Sequence, residues 1–265
     1  MNNNNSIEKD NERTNSLIIV YNNTDCPGFE FLHFNNQHLL IKNEKVKLDD
    51  DQLVGGLPLP TLNLDSLLKP YIPENIRNVT ILLDSEQVYK LTNAYPKINR
   101  FKLKSLYQRD IKLMQGNTKE KVRSIIQEYH NNLGTIIYTY VIPNDLYNFA
   151  FKLGNTLNLK VDNVDYFGYF LFKNLRKQID GNFIYAYGHN DSITLVISYS
   201  NVLSGVASFK KDDKALNRNV YGVGMKHFYE LEKEPIEKLL TNITDIKCDV
   251  LPLEVVDINL DLGSK

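Results

Sequence analysis

Residues 16–41, SLIIVYNNTDCPGFEFLHFNNQHLLI, and residues 182–209, NFIYAYGHNDSITLVISYSNVLSGVASF, share one rhythm. In the first, 17–21 is an apolar run rich in β-branched side chains and 22–28 is a turn-rich break. Segments 29–33 and 38–41 then flank Asn35-Asn36, a dipeptide that tolerates the positive φ a hairpin turn requires. In the second, 182–187, 193–199 and 202–209 are separated by the short turns His189-Asn190-Asp191 and Ser200-Asn201. Each stretch reads as a three-strand meander. Two such openings in one chain predict a duplicated α/β architecture.

Between them, 48–60 reads as a solvated loop with an Asp49-Asp50-Asp51 turn and a Gly55-Gly56 break. Asp65 reads as the cap of a short helix, 66–69, ahead of an apolar strand, 78–83. Segment 86–91 reads as extended, Tyr95-Pro96 as a turn, and 101–114 as a helix with Leu103, Leu106, Ile111 and Met114 on its apolar side. Segment 121–129 fits a helix or an edge strand, and 135–141 a strong strand. Pro143 suits the first turn of a helix to about residue 157, whose Leu146, Phe149, Ala150 and Leu153 form a buried stripe. A short strand at 159–162 and an apolar helix from Asn163 to about 177 complete this part. Beyond the second meander, 210–219 reads as a charged loop, 225–241 as a helix interrupted by Pro235, and 246–260 as one or two strands.

That order, three strands, helix, strand, insert, strand, helix, strand, helix and three strands again, resembles the actin-like proteins of the PilM type in type IV pilus assembly. It is equally similar to the related cytoplasmic domain of GspL in type II secretion. The matching segments are 17–41, 79–96 with its following helix, 135–172 and 182–209. Ile81-Leu82-Leu83-Asp84-Ser85 and Leu91-Thr92-Asn93-Ala94-Tyr95-Pro96, followed by the helix at Phe101, resemble the family's passage from its first subdomain into the inserted 1C subdomain. The resemblance implies an actin-like, RNase H-like α/β fold with two subdomains, each opened by a three-strand meander. The organisation it implies is a disordered polar tail, 1–15, and a first subdomain, 16–84 and 134–178. A 1C-like insert, 85–133, is expected to project and be mobile, and 179–265 forms a second subdomain with a truncated lobe.

An actin-like ATPase needs an acidic residue and a Gly-containing turn in each opening hairpin, because backbone N–H groups grip the phosphates while carboxylates organise Mg²⁺ and water. Here the first turn, Tyr21-Asn22-Asn23-Thr24-Asp25, has no glycine before Gly28. In the second, Ala186 stands where the family pattern places its Asp, and Gly188 remains. Gly222 and Gly224 echo a later glycine pair. Asp25, Gly188, Gly222 and Gly224 are therefore the candidate phosphate residues, and the expectation is no cofactor, with ATP and Mg²⁺ entering only under an alternative reading as a divergent ATPase. The resemblance implies instead a non-catalytic scaffold binding a protein or peptide, such as the cytosolic segment of a membrane protein, in the cleft between first subdomain and insert. Val88, Tyr89, Leu91, Leu106, Tyr107 and Arg109 are the candidate partner-binding residues.

Composition bounds the remaining classes. The 265 residues hold 31 basic against 32 acidic side chains, a net charge of −1 that gives no global field for nucleic acid. No apolar run approaches the roughly 20 residues of a membrane span, and the polar start of the chain carries no signal-like stretch. The expected location is cytoplasmic, peripheral to the inner face of the membrane. Cys26 and Cys248 lack metal-like spacing and a recognisable basic partner to activate the thiol, so no catalytic or metal site is expected from them. His33 and His38 read as a solvated hairpin pair, and His189-Asn190-Asp191-Ser192 as turn chemistry. Asp84, Ser85 and Glu86 mark a strand end with no identifiable catalytic partner. Lys102, Lys104, Arg109, Lys112, Lys119, Lys121 and Arg123 form the most basic region, read as a solvated face.

Overall fold

The computed structural model describes residues 14–23, 27–85, 87–115, 121–128, 134–177, 183–189, 192–199, 202–210 and 249–251. The chain begins with β1 (Ser16–Asn23), β2 (Gly28–Phe34) and β3 (Leu40–Lys47), then a small hairpin of β4 (Leu53–Val54) and β5 (Leu57–Pro58). There follow α1 (Leu64–Leu68), β6 (Asn78–Ser85), β7 (Tyr89–Pro96), α2 (Arg100–Gln115), β8 (Lys121–Glu128) and β9 (Gly134–Ile142). The remainder comprises α3 (Asn144–Thr156), β10 (Lys160–Tyr166), α4 (Phe167–Leu175), β11 (Phe183–His189), β12 (Ser192–Tyr199), β13 (Val202–Lys210) and β14 (Asp249–Leu251). They form two compact units. One holds the described residues up to Ser85 with Asp145–Phe170, the other those of 87–144 and 171–251.

In the first unit β1 is the centre of a five-stranded sheet of order β10-β6-β1-β2-β3. The β1–β2 and β2–β3 pairs are antiparallel, and β1–β6 and β6–β10 are parallel. Residues 17–22 are all buried, which is why their sequence is a continuous apolar run instead of an alternating one. The stripe read on α3 is present: Leu146, Ala150 and Leu153 are buried, and Phe149 meets the Tyr21 ring at a centroid distance of 4.9 Å. Gly28 opens β2 where a Cβ would run into the Val46 carbonyl oxygen of β3, so the break after β1 ends on a residue without one.

Several local readings change. The β2–β3 turn is organised by the Asn35 carboxamide, whose Oδ1 accepts from the backbone N–H groups of Gln37 at 2.9 Å and Leu39 at 3.0 Å. The positive φ expected at Asn35-Asn36 falls on His38, at 61°. His33 is not a solvated partner of His38: it is buried on β2, its Nε2 lies 3.2 Å from Glu44 Oε2, and His38 is exposed in the turn. Asn63, not Asp65, caps α1, its Oδ1 accepting from Ser66 N–H at 3.1 Å. The helix read from Asn163 begins only at Phe167, because β10 runs on to Tyr166 in parallel register with Ile81 to Leu83 and buries Val164 and Tyr166. Thr14 and Asn15, read as tail, are tied down by Asn75 Nδ2 to the Thr14 carbonyl and by Asn15 N–H to the Phe34 carbonyl, each at 2.7 Å.

In the second unit β9 lies between β7 and β8 in an antiparallel three-stranded sheet, against which α2 packs. Residues 134–142, read from the sequence with the first subdomain, pair in this sheet. An apolar strand does not declare which sheet it joins, and here the antiparallel neighbours β7 and β8 take it. Segment 121–129 is accordingly an edge strand. The other sheet has the order β13-β12-β11-β14, with β14 parallel to β11. Each meander thus places a parallel strand beside its first strand, β6 beside β1 and β14 beside β11. Both stretches are strands in separate sheets, as the expected duplication requires.

Candidate functional site

Of the candidate partner-binding residues, Tyr89 and Leu91 lie on β7, Val88 just before it, and Leu106, Tyr107 and Arg109 on α2; strand and helix are joined by a polar latch absent from the sequence reading. Tyr95 Oη donates to Asp110 Oδ2, and Asn93 Nδ2 lies 3.3 Å from both that oxygen and Tyr95 Oη. Asn93 and Tyr95 share one face of β7, and Asp110 projects to them from the third turn of α2. Arg109 Nε stands 3.6 Å from Asp110 Oδ1. Burial, then the bond to Asp110, raises the Tyr95 hydroxyl above its ordinary pKa. At the start of the helix, Asn99 caps α2 by accepting from Lys102 N–H at 2.9 Å.

Around that latch the candidates divide. Tyr89 is 60% exposed on β7, Leu106 and Tyr107 are half-buried on α2, and the Arg109 side chain is 68% exposed. Val88 is 2% exposed and belongs to the core, so it offers a partner no surface. Leu91 pairs with Thr139 of β9. Among the described residues β7 has a strand partner on one side only, β9.

Of the phosphate candidates, Asp25, Gly222 and Gly224 lie outside the described residues, as do both cysteines and the helix read at 225–241. Gly188 is within β11, in register with Ile193, and Ala186 with Leu195. More is assembled at the carboxyl ends of the parallel strands β1 and β6, where Asn22 stands opposite Asp84 and Asn23 opposite Ser85. Asp84 is 1% exposed, Asn22 and Ser85 are also buried, and Asn23 Nδ2 lies 3.5 Å from Ser85 Oγ. Carboxyl ends of parallel strands are where open α/β sheets receive ligands. Asp84 and Ser85 were legible as a polar end to an apolar strand; their pairing with Asn22 and Asn23 depends on the parallel register and was not. Among the described residues no group of three His, Cys, Asp or Glu side chains gathers as a metal site would, and no helix is long and apolar enough to cross a membrane.

The sheet orders, two meanders each with a parallel strand beside its first, define an actin-like fold of the RNase H-like α/β class. No family model matches the chain, and no curated protein matches it. Among solved structures, a chain of the PilM–PilN type IV pilus biogenesis complex aligns over 75% of this chain and 62% of its own, with 13% identity and a TM-score of 0.55. The chain therefore spans less than two thirds of that relative. The resemblance to PilM-type actin-like proteins read from strand order is thus borne out at the level of fold. Also similar are a Bacteroides thetaiotaomicron protein of actin-like ATPase fold and unknown function (15% identity, 77% and 72% coverage, TM-score 0.35) and the cytoplasmic domain of EpsL, an inner-membrane component of the Vibrio cholerae type II secretion system (11% identity, 85% and 92% coverage, TM-score 0.46).

Proposed function

We propose that the chain is a non-catalytic actin-like scaffold that binds a protein or peptide partner within a pilus- or secretion-like assembly, in the cytoplasm at the inner face of the membrane. The observation that carries this reading is the edge of β7. An extended peptide can add to an edge strand through main-chain hydrogen bonds and place alternate side chains against its flank. Here the flank is α2, held in place by the Asp110 latch to Asn93 and Tyr95 and carrying Leu106, Tyr107 and Arg109, while the exposed Tyr89 lies at the start of β7. That the similar solved chain comes from a complex of PilM with PilN supports a protein partner in this role.

The test is capture of a partner from the native host with a photo-crosslinker at Tyr89. Arg109→Glu and Tyr107→Ala are each expected to lower capture about 30-fold, the roughly 2 kcal/mol at which an interface hot spot begins, with the melting temperature unchanged. Capture insensitive to both would end the assignment of this face.

A second reading, nucleotide binding, is favoured by one observation: the buried Asp84 at the carboxyl ends of β1 and β6. That carboxylate and Ser85 would be the residues toward a hydrated Mg²⁺, whereas Ala186 supplies no matching carboxylate from the second meander. Thermal shift with Mg·ATP separates the two readings. A flat response accords with the scaffold; a ligand at about 100 times its dissociation constant stabilises by about 2.7 kcal/mol. ATP hydrolysis that is lost in Asp84→Asn and Gly188→Val would overturn the scaffold reading.

A further inference from the structure

On α2 the residues Lys102, Leu106, Arg109 and Leu113 stand at positions i, i+4, i+7 and i+11, which places them within about 60° of one another on one side of the helix. Cation and apolar side chain alternate along this stripe. Lys102 is exposed, Leu106 half-buried, the Arg109 side chain 68% exposed and Leu113 75% exposed. The stripe borders β7: Asp110, next to Arg109, accepts from Tyr95 of β7 through Oδ2, and Arg109 Nε stands 3.6 Å from the other oxygen of the same carboxylate. Tyr89, Leu91, Asn93 and Tyr95 alternate onto the β7 face that carries this latch.

The cations of the stripe are poorly answered within the fold. From Lys97 to Lys112 the basic residues Lys97, Arg100, Lys102, Lys104, Arg109 and Lys112 accompany one acid, Asp110, in a chain whose net charge is −1. That acid is engaged by Tyr95 and Asn93, and among the described residues Lys102 forms no ion pair. The first turn of α2 carries no acidic residue, so Arg100 and Lys102 sit against the positive end of the helix dipole, where cations are unfavourable. A local rule broken without an internal compensation marks a surface shaped by something outside the fold.

We infer, building on the edge-strand reading above, that the peptide added to β7 is acidic. It is an extended segment in which acidic and apolar side chains alternate on the side turned to α2, the acids against Lys102 and Arg109 and the apolar residues against Leu106 and Leu113. Charge complementarity selects carboxylates. Spacing selects a strand: neighbours in the stripe rise about 4.5–6 Å along the helix axis, and side chains on one side of an extended peptide recur about every 6.8 Å. The long arms of Lys102 and Arg109 span the difference. Other polyanions fit less well, because a lipid headgroup layer or a nucleic acid duplex has no main chain to pair with β7 and no apolar side chains interleaved with its charges.

The experiment is selection of a displayed library of random peptides, about ten residues long so as to cover the strand, on the purified full chain, with the combined Lys102→Glu and Arg109→Glu variant selected in parallel. The wild type is expected to enrich peptides in which Asp or Glu alternates with an apolar residue at every second position, and the variant to enrich Lys or Arg in place of the acids. The strongest wild-type peptide should bind the double variant about 100-fold more weakly. That exceeds the roughly 30-fold expected of Arg109→Glu alone, because Lys102 too is turned from attraction to repulsion. Binding should weaken with salt, and Leu113→Ser should weaken it about fivefold. Lys102, Arg109 and Leu113 are exposed, and an unchanged melting curve verifies each variant. Enrichment without a bias toward acids, or selected peptides that bind the charge-reversed variant equally, overturns the acidic class and leaves the scaffold reading in place. Duplex DNA that binds as tightly as the selected peptides, with the same dependence on Lys102 and Arg109, overturns it in favour of a general polyanion. No enrichment in either selection overturns the edge-strand reading, and the acidic class with it.

Discussion

The five-stranded sheet of the first unit and the helix α2 of the second treat polar and apolar residues in opposite ways. In the sheet, residues 17–22 of β1 and all of β2 are buried, and the polar groups caught among them are sealed in with partners. Glu30 receives Asn43 Nδ2 at 2.5 Å and has Lys45 Nζ at 3.7 Å; His33 faces Glu44. On α2 the apolar Phe101 and Leu113 face water, and the cations have almost no acidic counterpart. A buried acid kept beside its partners serves the fold, whereas apolar side chains and like charges left on display serve a surface. The difference locates stability in one region and the proposed recognition in the other.

The largest test of that division is a pair of truncations. Phe31 is fully buried and stacks on Tyr71 at a centroid distance of 5.2 Å, so Phe31→Ala should cost about 3–5 kcal/mol of stability. Leu113→Ala should stay within about 0.5 kcal/mol, as substitutions at open surface do. Denaturant melts of the two variants read the contrast directly, and comparable losses would break it. Next in size is Gly28→Ala. Its Cβ has nowhere to go but the Val46 carbonyl, and a forced shift of the β2–β3 pairing should cost about 1–3 kcal/mol. A neutral Gly28→Ala would mean that the sheet edge yields more readily than its burial implies.

The latch on α2 should matter less. Asp110→Ala removes the acceptor shared by Tyr95 and Asn93, in a site that is partly open. About 1 kcal/mol is expected, below the range for a sealed charged hydrogen bond. Amide exchange should accelerate in α2 while β1 and β6 keep their protection. Uniform acceleration across both units would show that the insert's sheet and the first sheet are one cooperative body, contrary to the separation drawn above.

What could be read in advance follows the same division. The apolar run of β1 and the i, i+4, i+7 stripe of Leu146, Ala150 and Leu153 are local signals, and burial acts on them directly. The destination of residues 134–142 was not local: a strand of Ile, Tyr and Val pairs equally well with any neighbour, and β7 and β8 decide it. The boundary between β10 and α4 failed for a related reason. In 164–172 the apolar residues suit a helix of any face and a parallel strand alike, and only the register with Ile81 and Leu83 holds Val164 and Tyr166 extended. At the candidate sites, the charge of α2 was plain in the sequence, whereas the exposure of Phe101 was not. A helix start offers no pattern to say that its aromatic residue points outward. Val88 was misjudged as surface because one residue before an edge strand can face either side.

The smallest effect expected concerns His33, where sealing a titratable group has a pH signature. Burial, the dominant cause, lowers its pKa from the ordinary 6.5, Glu44 opposes that shift, and Lys42 adds to it. Thr14 Oγ1 lies 3.4 Å from Nδ1 on the other side of the ring. With the folded pKa below the unfolded one, the unfolded chain binds more protons between the two values, so stability rises with pH in that window. The contribution is fully present above about pH 6.5 and is lost as the pH falls toward the folded pKa. A single proton limits the slope to about 1.4 kcal/mol per pH unit, and opposition from Glu44 keeps it below that. His33→Gln should therefore flatten the stability profile between neutral and mildly acidic pH, while Glu44→Gln, which removes the only carboxylate near the ring among the described residues, should steepen it. A profile unchanged in both variants would show that protonation of His33 is not resisted by the sheet, and that the interior of the first unit is more accessible to water than the burial of β2 implies.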